Sequence, residues 1–490
     1  MIYSIYHQTY WIKGGTESAM AYRVRMFRNL GVAVKFIFTN SFSGYNIWDE
    51  LRKLGFRDSE VLWMYGFFSD CRPSPVTYTL EKLEKTIDSG YVLSNRGNAV
   101  VYQFPDKNIY YTAYLMEGSN NRVYSVDMIS NACLVRRDYY TYCKVYSEYY
   151  IPMDGQAKLY LRRYFHEDGS IACEEMIDGD TASYKFPDKL LYSREELAEY
   201  MMSGLHITEK DIVLIDGVDA RGVIDRAAFI QSAFPAKTGF IFHTNYFLQS
   251  DEEHVLWSSA FEYVLSHPEK VHFYVTNTDV QSGILREQFR YYKNQEVRVE
   301  TIPAAFLDKM RIPEKARKKN SIVTAGRLSG DKRVNWIIEA VVIARQEIPD
   351  LTLDIYGEGY EENMLRELIQ KLDCSSYVSL CGFQKLDEIY QNYEAYVSAS
   401  CGETLGITLL EALGSGLPII GFDLPYGMQT LVDEGQNGYR ITDISAKGLA
   451  DGIIRLFKEP DFESFRRNSY KKAEAYLMEQ IEKKWEALLC

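Results

Sequence analysis

The hydrophobic period changes twice along this 490-residue chain, and that double switch limits its fold more than any other feature. Residues 2–6 alternate apolar and aromatic types like a short strand, and Gly14-Gly15 follow. ESAMAYRVRMFRNLG then reads as a helix, with Met20, Val24 and Phe27 on one face and Gly31 to cap its end. VAVKFIFT (32–39) is the next buried strand. Strand, glycine turn, helix and strand open a parallel α/β layer. From about residue 60 to 200 helix periods give way to alternation, in AVVYQF, NIYYTAYLM, RVYSVDMI, CKVYSEYYI and KLYLRRYF. PDKN, EGSNN, MDGQ, HEDGS and DGDT punctuate these runs as hairpin turns. The α/β texture then returns in DIVLID (211–216), TGFIFHTN (238–245) and KVHFYVTN (270–277), and RVETIPAA (298–305) closes it. An antiparallel module is therefore expected inside an α/β domain, not in front of it.

DKMRIPEKARKKN (308–320) carries six basic and two acidic residues and reads as a solvated linker. A second α/β unit follows, with strands in SIVTAGRL (321–328), LTLDIYG (351–357), YVSLCGF (377–383), AYVSAS (395–400) and LPIIGFD (417–423). WIIEAVVIARQ, MLRELIQKL and GITLLEALGSG are its clearest helices, and the chain is helical again from about residue 460. No 20–50-residue period repeats, so a solenoid or propeller is not expected. The expected domains are 1–55 with 205–307, an insertion at 60–200, a second α/β domain at 312–465, and a terminal helix at 466–490 packing back on the first domain.

Composition narrows the partners. Basic residues number 55 and acidic ones 68, a net charge of −13 that excludes bulk attraction to nucleic acid or an anionic membrane. The eight cysteines form no C-x-x-C pair, so reduced thiols are expected rather than a disulfide or zinc framework. The N-terminus lacks the layout of a signal peptide, and no window approaches the ~18 apolar residues of a membrane helix. A cytoplasmic protein is expected. Tyrosine is over-used, 39 of 490, and thirteen fall between Tyr102 and Tyr164. Aromatic residues suit a pleated, half-buried surface.

The strongest chemical motif runs from Cys401 to Gly416, CGETLGITLLEALGSG, where a strand meets a helix. Glu403, Thr404, Leu405 and Gly406 are expected at the helix N-terminus, whose unpaired N–H groups favour an anion such as a diphosphate. Glu411, two turns in, can accept hydrogen bonds from sugar hydroxyls; otherwise it is a buried, paired carboxylate. Arg327 and Lys332, at a strand end and in its loop, can clamp a diphosphate as fork and point charge. Gly14-Gly15 is either a tight turn or a close approach of backbone to a ligand, without the full G-x-G-x-x-G pattern. His243, at the end of FIFH, is a structural hydrogen-bonder or a residue at the rim of the same crevice. Asp178-Gly179-Asp180 looks like a D-x-D metal site but sits between alternating runs, where Asp-Gly is hairpin chemistry. Gly357-Glu358-Gly359 is most simply a turn.

Together the two α/β units, Gly14-Gly15, Arg327 with Lys332, and Glu403-x7-Glu411 resemble the retaining glycosyltransferases of the two-Rossmann GT-B class, in the glycogen-synthase-like clan. The inserted module and GGTESAMAYRVRMFRNLG resemble the branch of accessory-secretion glycosyltransferase A subunits of Gram-positive bacteria, which also includes wall-teichoic-acid α-glycosyltransferases. The resemblance implies two Rossmann-like domains facing a cleft. It assigns Arg327 and Lys332 to a UDP diphosphate, Glu411 to the ribose, and Glu403 with the backbone of Thr404, Leu405 and Gly406 to the donor sugar and β-phosphate. Gly14 and Gly15 would approach the diphosphate, His243 the donor sugar, and Gly382-Phe383 the uracil. No metal or other cofactor is implied.

The implied reaction moves N-acetylglucosamine or glucose from UDP-N-acetylglucosamine or UDP-glucose to Ser/Thr hydroxyls of a serine-rich surface protein. The alternatives are α-glycosylation of a teichoic acid, for which Arg136, Arg137, Arg162 and Arg163 offer cations, and a degenerate subunit that only binds. A partner transferase-like subunit or a homo-oligomer is implied, with peripheral contact at the inner membrane face and no nucleic acid.

Overall fold

The computed structural model describes residues 1–6, 15–41, 46–217, 235–250 and 254–489. The chain divides into two units, Met1–Phe240 with Trp257–His272, and Ile241–Leu256 with Phe273–Cys490.

In the first unit, β1 (Ile2–Tyr6) is buried at all five residues, as a strand covered on both faces must be. The helix Gly15–Asn29 buries Met20, Val24 and Phe27. β2 (Val34–Phe38) and β3 (Val61–Trp63) extend the sheet in parallel. The chain then leaves this layer for ten strands: β4 (Val92–Arg96), β5 (Ala99–Phe104), β6 (Ile109–Leu115), β7 (Val123–Ser130), β8 (Cys133–Tyr140), β9 (Lys144–Met153), β10 (Gln156–Phe165), β11 (Ile171–Asp178), β12 (Thr181–Lys185) and β13 (Leu190–Leu191). Each pairs with its predecessor, so the sheet is a meander. β14 (Ile212–Gly217) then returns to the parallel layer, where Ile2 of β1 faces Ile212 on one side and Val34 on the other. The module is thus an insertion between β3 and β14. Ser4 of β1 and Arg23 of the first helix both bond the buried Asp216 of β14, at 2.9 and 2.6 Å, so the layer is also stitched by charge.

The tyrosine surplus supports the interior of the module. Tyr102, Tyr139, Tyr140, Tyr146 and Tyr164 are buried, while Tyr160 is exposed. Tyr139 stacks on Tyr146 at 4.3 Å, and Tyr164 on Tyr65 at 4.8 Å. Their hydroxyls serve two buried carboxylates. Glu148 accepts from Tyr139 at 3.0 Å and Tyr150 at 2.6 Å, and Glu175 accepts from Tyr164 at 3.2 Å and Tyr184 at 3.1 Å. Arg162 bridges the two, 3.0 Å from each. Buried charges persist only when paired and hydrogen-bonded, and here tyrosine supplies the donors.

β15 (Lys237–Phe242) carries the chain into the second unit, followed by the short strands β16 (Phe247–Ser250), β17 (Val255–Trp257), β18 (Phe273–Thr276) and β19 (Val299–Thr301). A six-stranded parallel sheet then forms from β20 (Ser321–Ala325), β21 (Thr352–Tyr356), β22 (Val378–Leu380), β23 (Ala395–Ser398), β24 (Ile419–Phe422) and β25 (Gly438–Ile441), in the order β22-β21-β20-β23-β24-β25. Ile322, Leu353, Val397 and Ile420 from these strands share a core with Ile337, Ile338 and Val341 of the helix Val334–Ala344. The helix Met478–Leu489 starts where Met478 N–H donates to Leu307 O at 3.0 Å. Among the described residues no helix is long and apolar enough to cross a membrane.

Residues 308–320 are more than a solvated linker. The Arg317 guanidinium donates to the carbonyls of Gln391, Tyr393 and Ser415 at 3.0, 2.8 and 2.7 Å. Ser415 caps the helix Ile407–Gly414, so the cation meets the negative end of a helix dipole. Charge count alone does not reveal those carbonyls.

Candidate active site

In the second unit the chain leaves β20 for β21 and β22 on one side, then crosses to β23 on the other. Such a reversal leaves a crevice at the carboxyl ends of β20 and β23, where open α/β sheets bind their ligands. The residues that follow these two strands line one pocket there, among them Gly326, Arg327, Lys332, Ser400 and Glu403. The sheet order alone brings the Arg327–Lys332 motif to the Glu403 motif.

Lys332 Nζ donates to Glu403 Oε1 at 2.6 Å. Arg327 is 58% exposed, with Asp331 3.8 Å away. Two cations thus stand over a strand end, one free to swing and one fixed. Tyr396 of β23 locks the strand ends beneath them: its buried hydroxyl donates to Ala325 O and bonds Thr408 Oγ1, both at 2.9 Å. Cys401 N–H reaches Asp331 O at 2.8 Å and laces the two loops together.

Gly406 is the N-cap of the helix Ile407–Gly414, with φ +81°, and a Cβ there would stand 2.6 Å from Leu409 Cδ1. Only glycine meets both demands cheaply. Glu403, Thr404 and Leu405 therefore form the loop before the helix, not its first turn. The helix starts later than expected, and Glu411 lies about one turn in, not two.

The Glu411 carboxylate accepts from Tyr390 OH at 3.2 Å. Burial pushes its pKa up to about 7; the nearby Asp387 adds to the rise, while Tyr390 and Arg311 oppose it. A carboxyl poised there can accept hydrogen bonds from a diol once ionised.

His243 directly follows β15, and its carbonyl accepts from Thr404 Oγ1 at 2.8 Å. Two residues on, Asn245 Oδ1 accepts from Tyr426 OH at 2.8 Å, and Gly427 N–H donates to Glu403 O at 2.7 Å. Residues 243–245 are thereby joined to Thr404 directly and to the Tyr426-Gly427 turn that holds Glu403. Leu405 is buried.

Gly382 and Phe383 follow β22 on the same rim. Gly382 O accepts from Gly357 N–H at 2.9 Å, and a Cβ on Gly357, at φ +135°, would stand 1.8 Å from Gly326 O. The ends of β20, β21 and β22 are thus packed backbone to backbone, and Phe383 is 53% exposed beside them. Gly15 opens the first helix of the other unit, with nothing within 4 Å of a built Cβ. Gly14 lies outside the described residues. Glu17, two residues after Gly15, is buried and accepts from Tyr6 OH at 2.7 Å.

Asp178 pairs with Thr181, so Gly179-Asp180 is a hairpin loop. Arg136, Arg137, Arg162 and Arg163 of the module each meet a carboxylate: Arg136 with Asp138, Arg137 with Asp127, Arg162 with Glu148 and Glu175, and Arg163 with Glu174. They do not offer the cationic groove a polyanion would want.

Tyr396, Tyr390, Tyr426, Asn245 and Asp331 carry no motif and went unremarked in the sequence. The G-x-G at 357–359, directly after a strand, was the one available signal of close backbone approach.

Residues 93–188 match the family model of the GtfA extended beta-sheet domain, and residues 306–475 that of glycosyl transferases group 1. The UDP-N-acetylglucosamine–peptide N-acetylglucosaminyltransferase GtfA subunit of Streptococcus parasanguinis is 38% identical, over 99% of this chain and 98% of its own. The pneumococcal O-GlcNAc transferase GtfA, whose crystal structure holds UDP and GlcNAc, superposes with a TM-score of 0.91 at 33% identity, over 100% of this chain and 98% of that one. A chain from a GtfA/B complex superposes with a TM-score of 0.87 at 34% identity, over the same shares.

Proposed function

The chain belongs to the GtfA family of GT-B glycosyltransferases, and on that premise we propose that it transfers N-acetylglucosamine from UDP-N-acetylglucosamine, with retention, to serine and threonine hydroxyls of a serine-rich polypeptide. The observation that carries the reading is the single pocket where Arg327, Lys332 and Glu403 converge. In this reading Arg327 and Lys332 hold the diphosphate. Glu411 accepts the ribose hydroxyls, and Gly382-Phe383 back the uracil. Glu403 and the backbone of Thr404, Leu405 and Gly406 hold the sugar and β-phosphate, and His243 stands near the scissile bond.

As the glycosidic C–O bond breaks, negative charge grows on the departing diphosphate. A cation already aimed at that charge, as Lys332 is, lowers the barrier without reorganising. Glu403 is engaged by Lys332 and Glu411 by Tyr390, so both are assigned to binding rather than to attack on the sugar. The departing phosphate itself then takes the proton of the attacking hydroxyl. No metal is assigned a role, so chelation with EDTA is expected to leave turnover within about twofold. A second transferase-like subunit is proposed as partner, by analogy with the GtfA/B complex. The reaction is placed in the cytoplasm.

The test incubates the protein with UDP-N-acetylglucosamine or UDP-glucose, and with a Ser-rich peptide or a glycerol-phosphate polymer, and weighs the products. Peptide gaining one N-acetylhexosamine supports the reading. Transfer to the polymer alone would replace it with the teichoic-acid reading, and no release of UDP would reduce the chain to a binding subunit.

A further inference from the structure

Sugar transfer makes no use of two cysteines in the first unit. Cys71 follows the turn Tyr65–Phe68, and Cys143 lies in the loop between β8 and β9. They are 72 residues apart in sequence, yet their sulfurs are 3.7 Å apart, in contact. Both residues are partly exposed, so a small oxidant can reach them.

The contact is built from both sides. Ser69 Oγ donates to Phe165 O at 2.7 Å and accepts from Cys71 N–H at 3.0 Å. Arg72 N–H donates to Tyr142 OH at 3.1 Å, and its guanidinium lies 4.9 Å from the centre of the Tyr142 ring. Further along, Thr77 and Tyr78 N–H both donate to Thr141 O, at 3.0 and 2.9 Å. Segment 69–78 is therefore held against Thr141 and Tyr142, the two residues before Cys143, and against Phe165 of β10, and the two thiols are brought together before any chemistry begins. Either thiol can donate across the contact; the bond from Cys143 pushes the pKa of Cys71 down to about 7, against burial and the carboxylates of Asp70 and Glu167, while Cys143 itself is pushed up. Cys71 is accordingly the nucleophile of the pair.

We propose that Cys71 and Cys143 form an oxidation site, at which a peroxide converts the two thiols into a disulfide that fastens segment 69–78 to the antiparallel sheet. The Cys71 thiolate attacks hydrogen peroxide, breaking the O–O bond and giving a sulfenic acid and hydroxide. Cys143 then attacks the sulfenic sulfur, forming the S–S bond and expelling the oxygen as water. Two thiols and one peroxide become one disulfide and two waters. The sulfurs need only close from contact to the ~2.05 Å of the bond, with both residues in loops. Cross-linking across so many residues restricts the unfolded chain and so raises the melting temperature.

The full chain is treated with hydrogen peroxide, alkylated, digested without reductant and mapped by mass. The expected result is one linked peptide pair joining Cys71 to Cys143, two hydrogens lighter than the reduced pair and released by dithiothreitol. The melting temperature should rise by at least about 2 °C on oxidation of the wild type, and should not respond in Cys71→Ser or Cys143→Ser. The proposal is overturned if both thiols stay alkylatable while the exposed Cys401 oxidises, if the link joins other cysteines, or if Cys71 passes to sulfinic acid without a link. A link that leaves the wild-type melting temperature unchanged overturns the fastening. The wild-type map stands even where a serine variant folds poorly.

Discussion

Lys332 and Glu403 hold each other across 2.6 Å at the mouth of the pocket, while Arg327 beside them stays 58% exposed. A diphosphate entering there meets one pre-aimed cation and one mobile fork. Removing either cation takes away stabilisation that grows with the leaving charge. Arg327→Ala is expected to lower kcat/KM about 10²–10³-fold with the circular dichroism spectrum unchanged, since the exposed guanidinium supports little of the fold. Lys332→Ala should lose as much and also leave Glu403 without its cation. Wild-type turnover in both variants would remove the pocket from the mechanism. Glu411 makes a prediction about pH. Its pKa is raised from 4.5 to about 7, so the folded state keeps a proton that the unfolded state has released. Stability should fall as pH rises from about 4.5 to about 7, by up to about 3 kcal/mol, and Glu411→Gln should flatten that slope in urea titrations. Affinity for UDP should rise over the same range as the carboxylate ionises. These residues were legible because each stands at a strand end or in a glycine-bounded loop. Their partners Tyr390 and Tyr426 were not, because nothing local marks a tyrosine whose role is to touch a distant side chain.

At the scale of the element, the loop 403–406 and the helix Ile407–Gly414 work as one device hinged on Gly406. Gly406→Ala forces a Cβ against Leu409 in a left-handed backbone, and is expected to cost about 1–3 kcal/mol in stability. Turnover should fall with it, because Glu403 and Thr404 hang from that turn. An alanine variant with unchanged melting and turnover would show that the turn is replaceable. The antiparallel sheet depends on a different device, the Arg162 bridge between Glu148 and Glu175. Arg162→Leu leaves two buried carboxylates facing each other, and a loss of about 3–5 kcal/mol is expected from chemical denaturation. The alternating runs and Asp-Gly turns made β5, β6, β7, β9 and β10 of the meander readable. Outside those runs lay β4, β8, β11, β12 and β13, and the four-residue β25 of the second unit. The late start of the helix was hidden too, since a left-handed Gly406 looks the same in sequence as a glycine of the first turn.

For the whole molecule, the pocket lies entirely within the second unit and the meander entirely within the first. UDP at 100 times its Kd should add about 2.7 kcal/mol to the stability of the unit that binds it. Hydrogen exchange should show this as slowed amides in 326–333 and 399–411, with the strands from Ala99 to Asp178 unaffected. Protection confined to the meander would place the nucleotide elsewhere. The sequence by itself determined the kind of each layer, the insertion of one within another, and which short segments carry opposed charges, because hydrophobic period, turn residues and motif spacing are local properties of the chain. Only the tertiary structure decided what meets what. Lys332 finds Glu403 71 residues away because β23 pairs with β20, Cys71 finds Cys143 because a loop is laid against a hairpin, and Arg136, Arg137, Arg162 and Arg163 are already matched to carboxylates. Those encounters follow from strand order and register, which bring together residues that no local pattern couples.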